Sequence, residues 1–157
     1  MFVAVIGSGH CDEAVAAQAE EVGREIARRG AVLVCGGRSG VMEAACRGAK
    51  AEGGTTVGIL PGTDRREANA YVDIPIVTGL GEARNAVVVR TADAVVAVSG
   101  GYGTLSEIGL ALKMGRPVVG LGTWELSHGA QPLAAVARAS TPGQAVDLAM
   151  AMVEEGF

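Results

Sequence analysis

Nine consecutive residues, SGGYGTLSE from Ser99 to Glu107, combine several chemistries in one short stretch. Gly100, Gly101 and Gly103 allow a backbone turn to approach a ligand closely. Amides running from there to Thr104, at the start of a helix, suit an anion, because the helix dipole and unpaired N–H groups both favour negative charge. Thr104 adds a hydroxyl. Glu107 is an anion placed beside that anion site. Spacing alone reads Thr104-Leu105-Ser106-Glu107 as a capping box, with the carboxylate on the backbone of Thr104. The other reading is a carboxylate that faces the ligand. Arg38 and Arg84 stand on two further loops, and arginine grips phosphate or carboxylate with a two-pronged fork. Arg65 and Arg66 lie on a more polar loop and read as solvated. His10 follows a strand and is a candidate to face the site, though a lone histidine more often reads as a surface residue; Tyr102 and Trp124 are candidates for the rim, and Asn85 for a polar contact or a helix start.

The elements that must position these residues recur as one unit: a short apolar run, a glycine loop, then a helical pattern. Strands are expected at Phe2–Ile6, Val32–Cys35, Thr56–Leu60, Ile74–Val77, Ala94–Val98 and Val118–Leu121, with an edge strand near Ala135–Ala139. Helices are expected at about Glu13–Arg29, Val41–Ala51, Ala83–Thr91 and Leu105–Met114. A last helix starts with Thr141 as N-cap, Pro142 at the first position and Gln144 completing a capping box. The apolar runs are continuous rather than alternating, as in strands buried on both faces. Alternation with helices gives a parallel sheet covered on both sides. The expected fold is therefore α/β, a single-domain Rossmann-like doubly wound parallel sheet spanning residues 1–157. Ligands of such sheets sit beyond the carboxyl ends of the strands, where most of the loop glycines fall.

Several functions are disfavoured. The dinucleotide fingerprint fails: after Gly7-Ser8-Gly9 its third glycine falls on Asp12, and no acidic residue closes the second strand. A P-loop is absent. Pyridoxal phosphate needs a lysine, and Lys50 and Lys113, the only lysines, sit within or near the end of helices. Cys11, Cys35 and Cys46 lack CxxC spacing and read as small buried thiols, not a zinc site. With 13 basic against 17 acidic residues, the net charge of -4 argues against nucleic acid as a partner. No apolar run is long enough to cross a membrane, and no signal peptide is evident, so a cytoplasmic protein is expected.

The segments GGRSGVMEAACRGAKAEGGTTVGILPG and EARNAVVVRTADAVVAVSGGYGTLSEIGLALKMGRPVVGL resemble the LOG family, long mislabelled "lysine decarboxylase", over nearly the whole chain. The most specific element is the family motif PGGxGTxxE, present as Ser99 to Glu107. The resemblance implies a Rossmann-type fold, a homodimer or homotetramer, and a phosphorylated small-molecule partner, a nucleotide or a pterin. Enzymes of the family cleave the base from a cytokinin nucleoside 5'-monophosphate, and their catalytic arginine and glutamate match Arg84 and Glu107. Gly100, Gly101, Gly103 and Thr104 match the phosphate-holding turn. Ser99 in place of proline, and Asn85 in place of lysine, are typical of the branch containing molybdenum cofactor carrier proteins. Two functions follow: hydrolysis to free base and ribose 5-phosphate, or carriage of a phosphorylated pterin or nucleotide without turnover. The candidate set is Arg84 and Glu107 for catalysis, with Gly7, Ser8, Gly9, Gly37, Arg38, Asn85, Ser99, Gly100, Gly101, Gly103 and Thr104 for the ligand. Neither a metal nor a cofactor is called for.

Overall fold

A computed structural model describes all residues, Met1–Phe157. Six strands, β1 (Phe2–Ile6), β2 (Val32–Cys35), β3 (Thr56–Leu60), β4 (Ile74–Val77), β5 (Ala94–Val98) and β6 (Val118–Leu121), have the bounds that their apolar runs predict. The hairpin strands β7 (Leu126–His128) and β8 (Gln131–Leu133) follow, then β9 (Val136–Arg138), the edge strand expected near Ala135–Ala139. The helices are α1 (Glu13–Arg28), α2 (Val41–Ala51), α3 (Arg84–Thr91), α4 (Tyr102–Lys113) and α5 (Pro142–Glu154).

Seven strands form one parallel sheet in the order β4-β3-β2-β1-β5-β6-β9. The chain winds outward from β1 in one direction, returns to β5 on its other side, and winds outward again. This is the doubly wound Rossmann-like arrangement, with its switch point between β1 and β5. Every residue of β5 and β6 is buried, as continuous apolar runs require. Helices α1, α2 and α5 pack on one face over a core that includes Val22, Ile26, Cys46 and Val146. Helices α3 and α4 pack on the other, over Val88, Val89, Ile108 and Ala111.

Local signals explain the helix starts. Asp12 caps α1 by accepting from the Val15 N–H at 2.8 Å. Thr141 caps α5 by accepting from the Gln144 N–H at 3.2 Å, while the Gln144 side chain accepts from the Ser140 N–H at 2.7 Å. The return bond thus lands one residue earlier than a simple capping box.

Three expectations need correction. Helix α4 begins at Tyr102, not Leu105, so Thr104 is no N-cap: it is buried inside the first turn. Gly101 takes the cap position without a side-chain bond, and the glycines that look like loop are partly helix. The segment after β6 folds into the antiparallel hairpin β7–β8, hidden in the sequence because each strand is only three residues long and mostly exposed. Cys35 and Cys46 are buried as expected, but Cys11 is exposed. No helix is long and apolar enough to cross a membrane.

Candidate functional site

The loops that leave the carboxyl ends of β1, β2 and β5 meet the starts of α2, α3 and α4 around a cleft of about 460 Å³. It lies at the switch point. Its lining is almost wholly polar: Gly7, Ser8, Gly9 and His10 from the loop after β1, Arg38 from the loop after β2, Arg84 and Asn85 from α3, and Gly101, Gly103, Thr104 and Glu107 from α4.

Close backbone packing shapes this wall. A Cβ on Gly7 would fall 2.6 Å from the Val41 side chain, so glycine there lets α2 come up against β1. The Val41 N–H donates to the Ser8 carbonyl at 3.0 Å, and the Ser39 hydroxyl donates to the Gly9 carbonyl at 2.9 Å. Opposite, the amides of Tyr102, Gly103 and Thr104 open α4 and have no partner within the helix, and Leu105 is the first to bond back, to the Gly101 carbonyl. Gly103 has nothing within 4 Å of where a Cβ would stand. Unpaired amides at a helix start of this kind can hold an oxyanion, helped by the helix dipole.

Arg84 is half-buried and tightly held. Its Nη1 donates to the carbonyls of Gly36 at 2.5 Å and Ile59 at 2.7 Å, and its Nε donates to Asn85 Oδ1 at 2.9 Å. A Cβ on Gly36 would lie 2.8 Å from that Nη1, so glycine makes the approach possible. Burial lowers the Arg84 pKa, opposed by the Glu107 charge; the group stays cationic in any case.

Glu107 is 9% exposed and accepts no hydrogen bond from the chain. The bond to Thr104 that the capping reading predicts is therefore absent. Burial pushes its pKa up to about 7, with the Arg84 charge pulling the other way. A carboxyl of this kind is poised to hold or release a proton near neutrality.

The cleft thus gathers ten of the candidate residues named from sequence, together with His10. Gly37, Ser99 and Gly100 lie just outside it. Gly37 packs against Gly58, 3.0 Å from where its Cβ would be, at a φ of +77°. Gly100, at a φ of +109°, leaves room for Thr104, whose hydroxyl a Cβ would strike. Ser99 has a φ of 51°, and its carbonyl accepts from the Thr123 hydroxyl at 2.5 Å. These three shape the turns rather than line the cleft. Arg65 and Arg66 lie elsewhere, on a one-turn helix beside β4. Gly36, one of the strand-end loop glycines but not in the candidate set, also lines the cleft, as do Ser39 and Met42, which sequence reasoning passed over; their position beside Arg38 and at the start of α2 was the available signal. Tyr102 and Trp124 stack with ring centroids 5.9 Å apart, and the Trp124 indole donates to the Gly101 carbonyl at 3.0 Å.

A doubly wound parallel sheet with an arginine, a buried glutamate and a glycine-rich helix start at its switch point defines a Rossmann-type small-molecule site. The chain belongs to the SLOG cluster4 family, whose model matches residues 1–147. Within the LOG family it falls in the branch like the molybdenum cofactor carrier proteins. A molybdenum cofactor binding protein from the phototrophic bacterium Rippkaea orientalis has a TM-score of 0.86 at 37% identity, over 97% of this chain and 96% of that one. The molybdenum cofactor carrier protein of Chlamydomonas reinhardtii has a TM-score of 0.85 at 40% identity, over 98% of both chains. A cytokinin riboside 5'-monophosphate phosphoribohydrolase of Mycobacterium tuberculosis is 40% identical over 93 residues, 57% of this chain and 50% of that protein. The chain therefore matches half the length of the hydrolase but nearly all of the carrier.

Proposed function

We propose that the cleft binds a nucleoside 5'-monophosphate and hydrolyses its N-glycosidic bond, giving free base and ribose 5-phosphate. The phosphate lies on the amides of Tyr102, Gly103 and Thr104 with the Thr104 hydroxyl, and Ser8 faces it from the loop after β1. The ribose lies against Glu107. Water adds to the anomeric carbon as the base departs with its bonding electrons and gains a proton. Glu107 accepts the proton of that water or holds the ribose hydroxyls, and its negative charge stabilises the oxocarbenium-like state. Arg84 holds the phosphate or orients Glu107. The observation that carries this reading is Glu107: a buried carboxylate without a hydrogen-bond partner, in one cleft with Arg84. Incubation with AMP and with isopentenyladenosine monophosphate, followed by chromatography for free base, tests it. A folded protein that releases no base from either compound rules the hydrolysis out.

A second reading is carriage of a phosphorylated pterin such as molybdenum cofactor, without turnover. The match to the carrier and binding proteins over at least 96% of each chain favours it. The same amides and Arg84 hold the phosphate, and Glu107 bonds a ring or hydroxyl group. A pterin released on denaturation and identified by mass spectrometry supports carriage; protein that is ligand-free and shows no thermal shift with pterin or nucleotide counts against it. A cytoplasmic homodimer or homotetramer belongs to both readings and is read by light scattering and cell fractionation.

A further inference from the structure

The carboxyl edge of the sheet carries a second hollow, of about 480 Å³, which has no lining residue in common with the cleft. The loop after β6, the hairpin β7–β8 and β9 enclose it. Trp124, Leu126, Leu133 and Val136 give it an apolar wall, and Glu125 and Arg138, paired at 2.8 Å, stand exposed beside it. The site proposed above leaves all of these unused.

The two hollows share a wall. Thr123 and Trp124 line the second hollow, and their side chains are the groups that hydrogen-bond to the carbonyls of Ser99 and Gly101. Gly101 lines the cleft. A phosphate on the amides that follow Gly101 therefore lies next to the wall that the two spaces share. A monophosphate that places its sugar against Glu107 fills one side only. A pyrophosphate continues past the turn, where Arg138 supplies a cation by exchanging its exposed pairing with Glu125 for the ligand. An apolar wall that includes a tryptophan accepts a flat ring, because base–indole stacking is favourable for any base.

We propose that this hollow is a subsite for a second planar ring, and that the edge as a whole takes a pyrophosphate-linked dinucleotide-type ligand. The inference rests on the phosphate position given under Proposed function. One half of the ligand occupies the cleft, the pyrophosphate crosses the start of α4, and the other half enters the hollow beside Trp124.

The test is calorimetry with AMP and with diadenosine 5',5'-pyrophosphate on the full chain. Diadenosine pyrophosphate binds at least tenfold tighter than AMP, a difference of about 1.4 kcal/mol, and it quenches Trp124, the only tryptophan. Leu133→Glu and Arg138→Ala change exposed side chains outside the cleft. Each weakens diadenosine pyrophosphate at least fivefold and leaves AMP unchanged. Equal affinity for the two compounds overturns the subsite while leaving the cleft intact, as does an advantage that survives both substitutions. Binding of neither compound overturns the phosphate position itself and the subsite with it.

Discussion

Replacing Glu107 by glutamine should make the protein more stable, and only above mildly acidic pH. The carboxyl has an ordinary pKa of 4.5 and is pushed up to about 7 in the fold by burial. Between those values the folded state holds a proton that the unfolded chain has released. Stability therefore falls as pH rises through this window, by about 1.4 kcal/mol per pH unit. Over the whole shift the loss is about 3 kcal/mol, complete by about pH 8. Glutamine keeps the shape and never ionises. At pH 4 the two proteins should be equally stable. At pH 8 Glu107→Gln should lead by about 3 kcal/mol, or about 6–12 °C in Tm for a chain of this size. The assay is urea or thermal unfolding of both proteins from pH 4 to 8.5. A lead that does not change with pH, or no lead at pH 8, would refute the burial reasoning. The same variant should release base from AMP at least about a hundredfold more slowly, if Glu107 acts on the proton of the attacking water.

Arg84→Lys keeps a charge but cannot reproduce the three bonds to Gly36, Ile59 and Asn85; affinity for AMP should fall at least about tenfold, read by thermal shift or calorimetry. Gly23→Ala should destabilise by about 1–3 kcal/mol although alanine favours helix, because its Cβ would strike the Ala45 carbonyl across the α1–α2 contact; a more stable variant would show that the helices can separate. Ser99→Pro restores the residue of the LOG motif but cannot adopt the φ of 51° and loses the N–H bond to the Leu121 carbonyl. It should lose about 1–3 kcal/mol, whereas Ser99→Gly should be at least as stable as the native chain in the same denaturation assay.

The fold was legible because its signals are local. Continuous runs such as Ala94–Val98 announce buried strands, and Thr141 announces a helix start. The first turn of α4 was not legible, since Gly101-Tyr102-Gly103 has poor helix propensity and is held there by its neighbours: Trp124 grips the Gly101 carbonyl, and Thr104 is buried against Gly100. The types of the candidate residues and their loops could be read, and the convergence of ten of them on one cleft followed from the sheet order. The state of each could not. Arg84 owes its fixed pose to carbonyls 48 and 25 residues away, and Glu107 owes its raised pKa to burial by the whole fold. Short exposed strands such as Gln131–Leu133 leave no periodicity to detect.

The contact between α1 and α2 has a mechanical consequence for the cleft. Gly23 and Gly48 bring the two helices into backbone contact, since a Cβ on Gly48 would meet the Glu20 carbonyl. At its front end α2 is bonded to the loop after β1 through Val41 and Ser8. The pair therefore behaves as one fixed anvil behind Ser8 and Gly9. The opposite jaw is lighter: α3 has only eight residues, and the core beneath α3 and α4 holds 13 buried residues against 21 beneath the anvil. Any breathing that admits or releases a ligand falls to the side bearing Arg84 and Glu107. Amide exchange should be slow along α2 and measurably faster along α3, and a ligand should slow the second far more than the first.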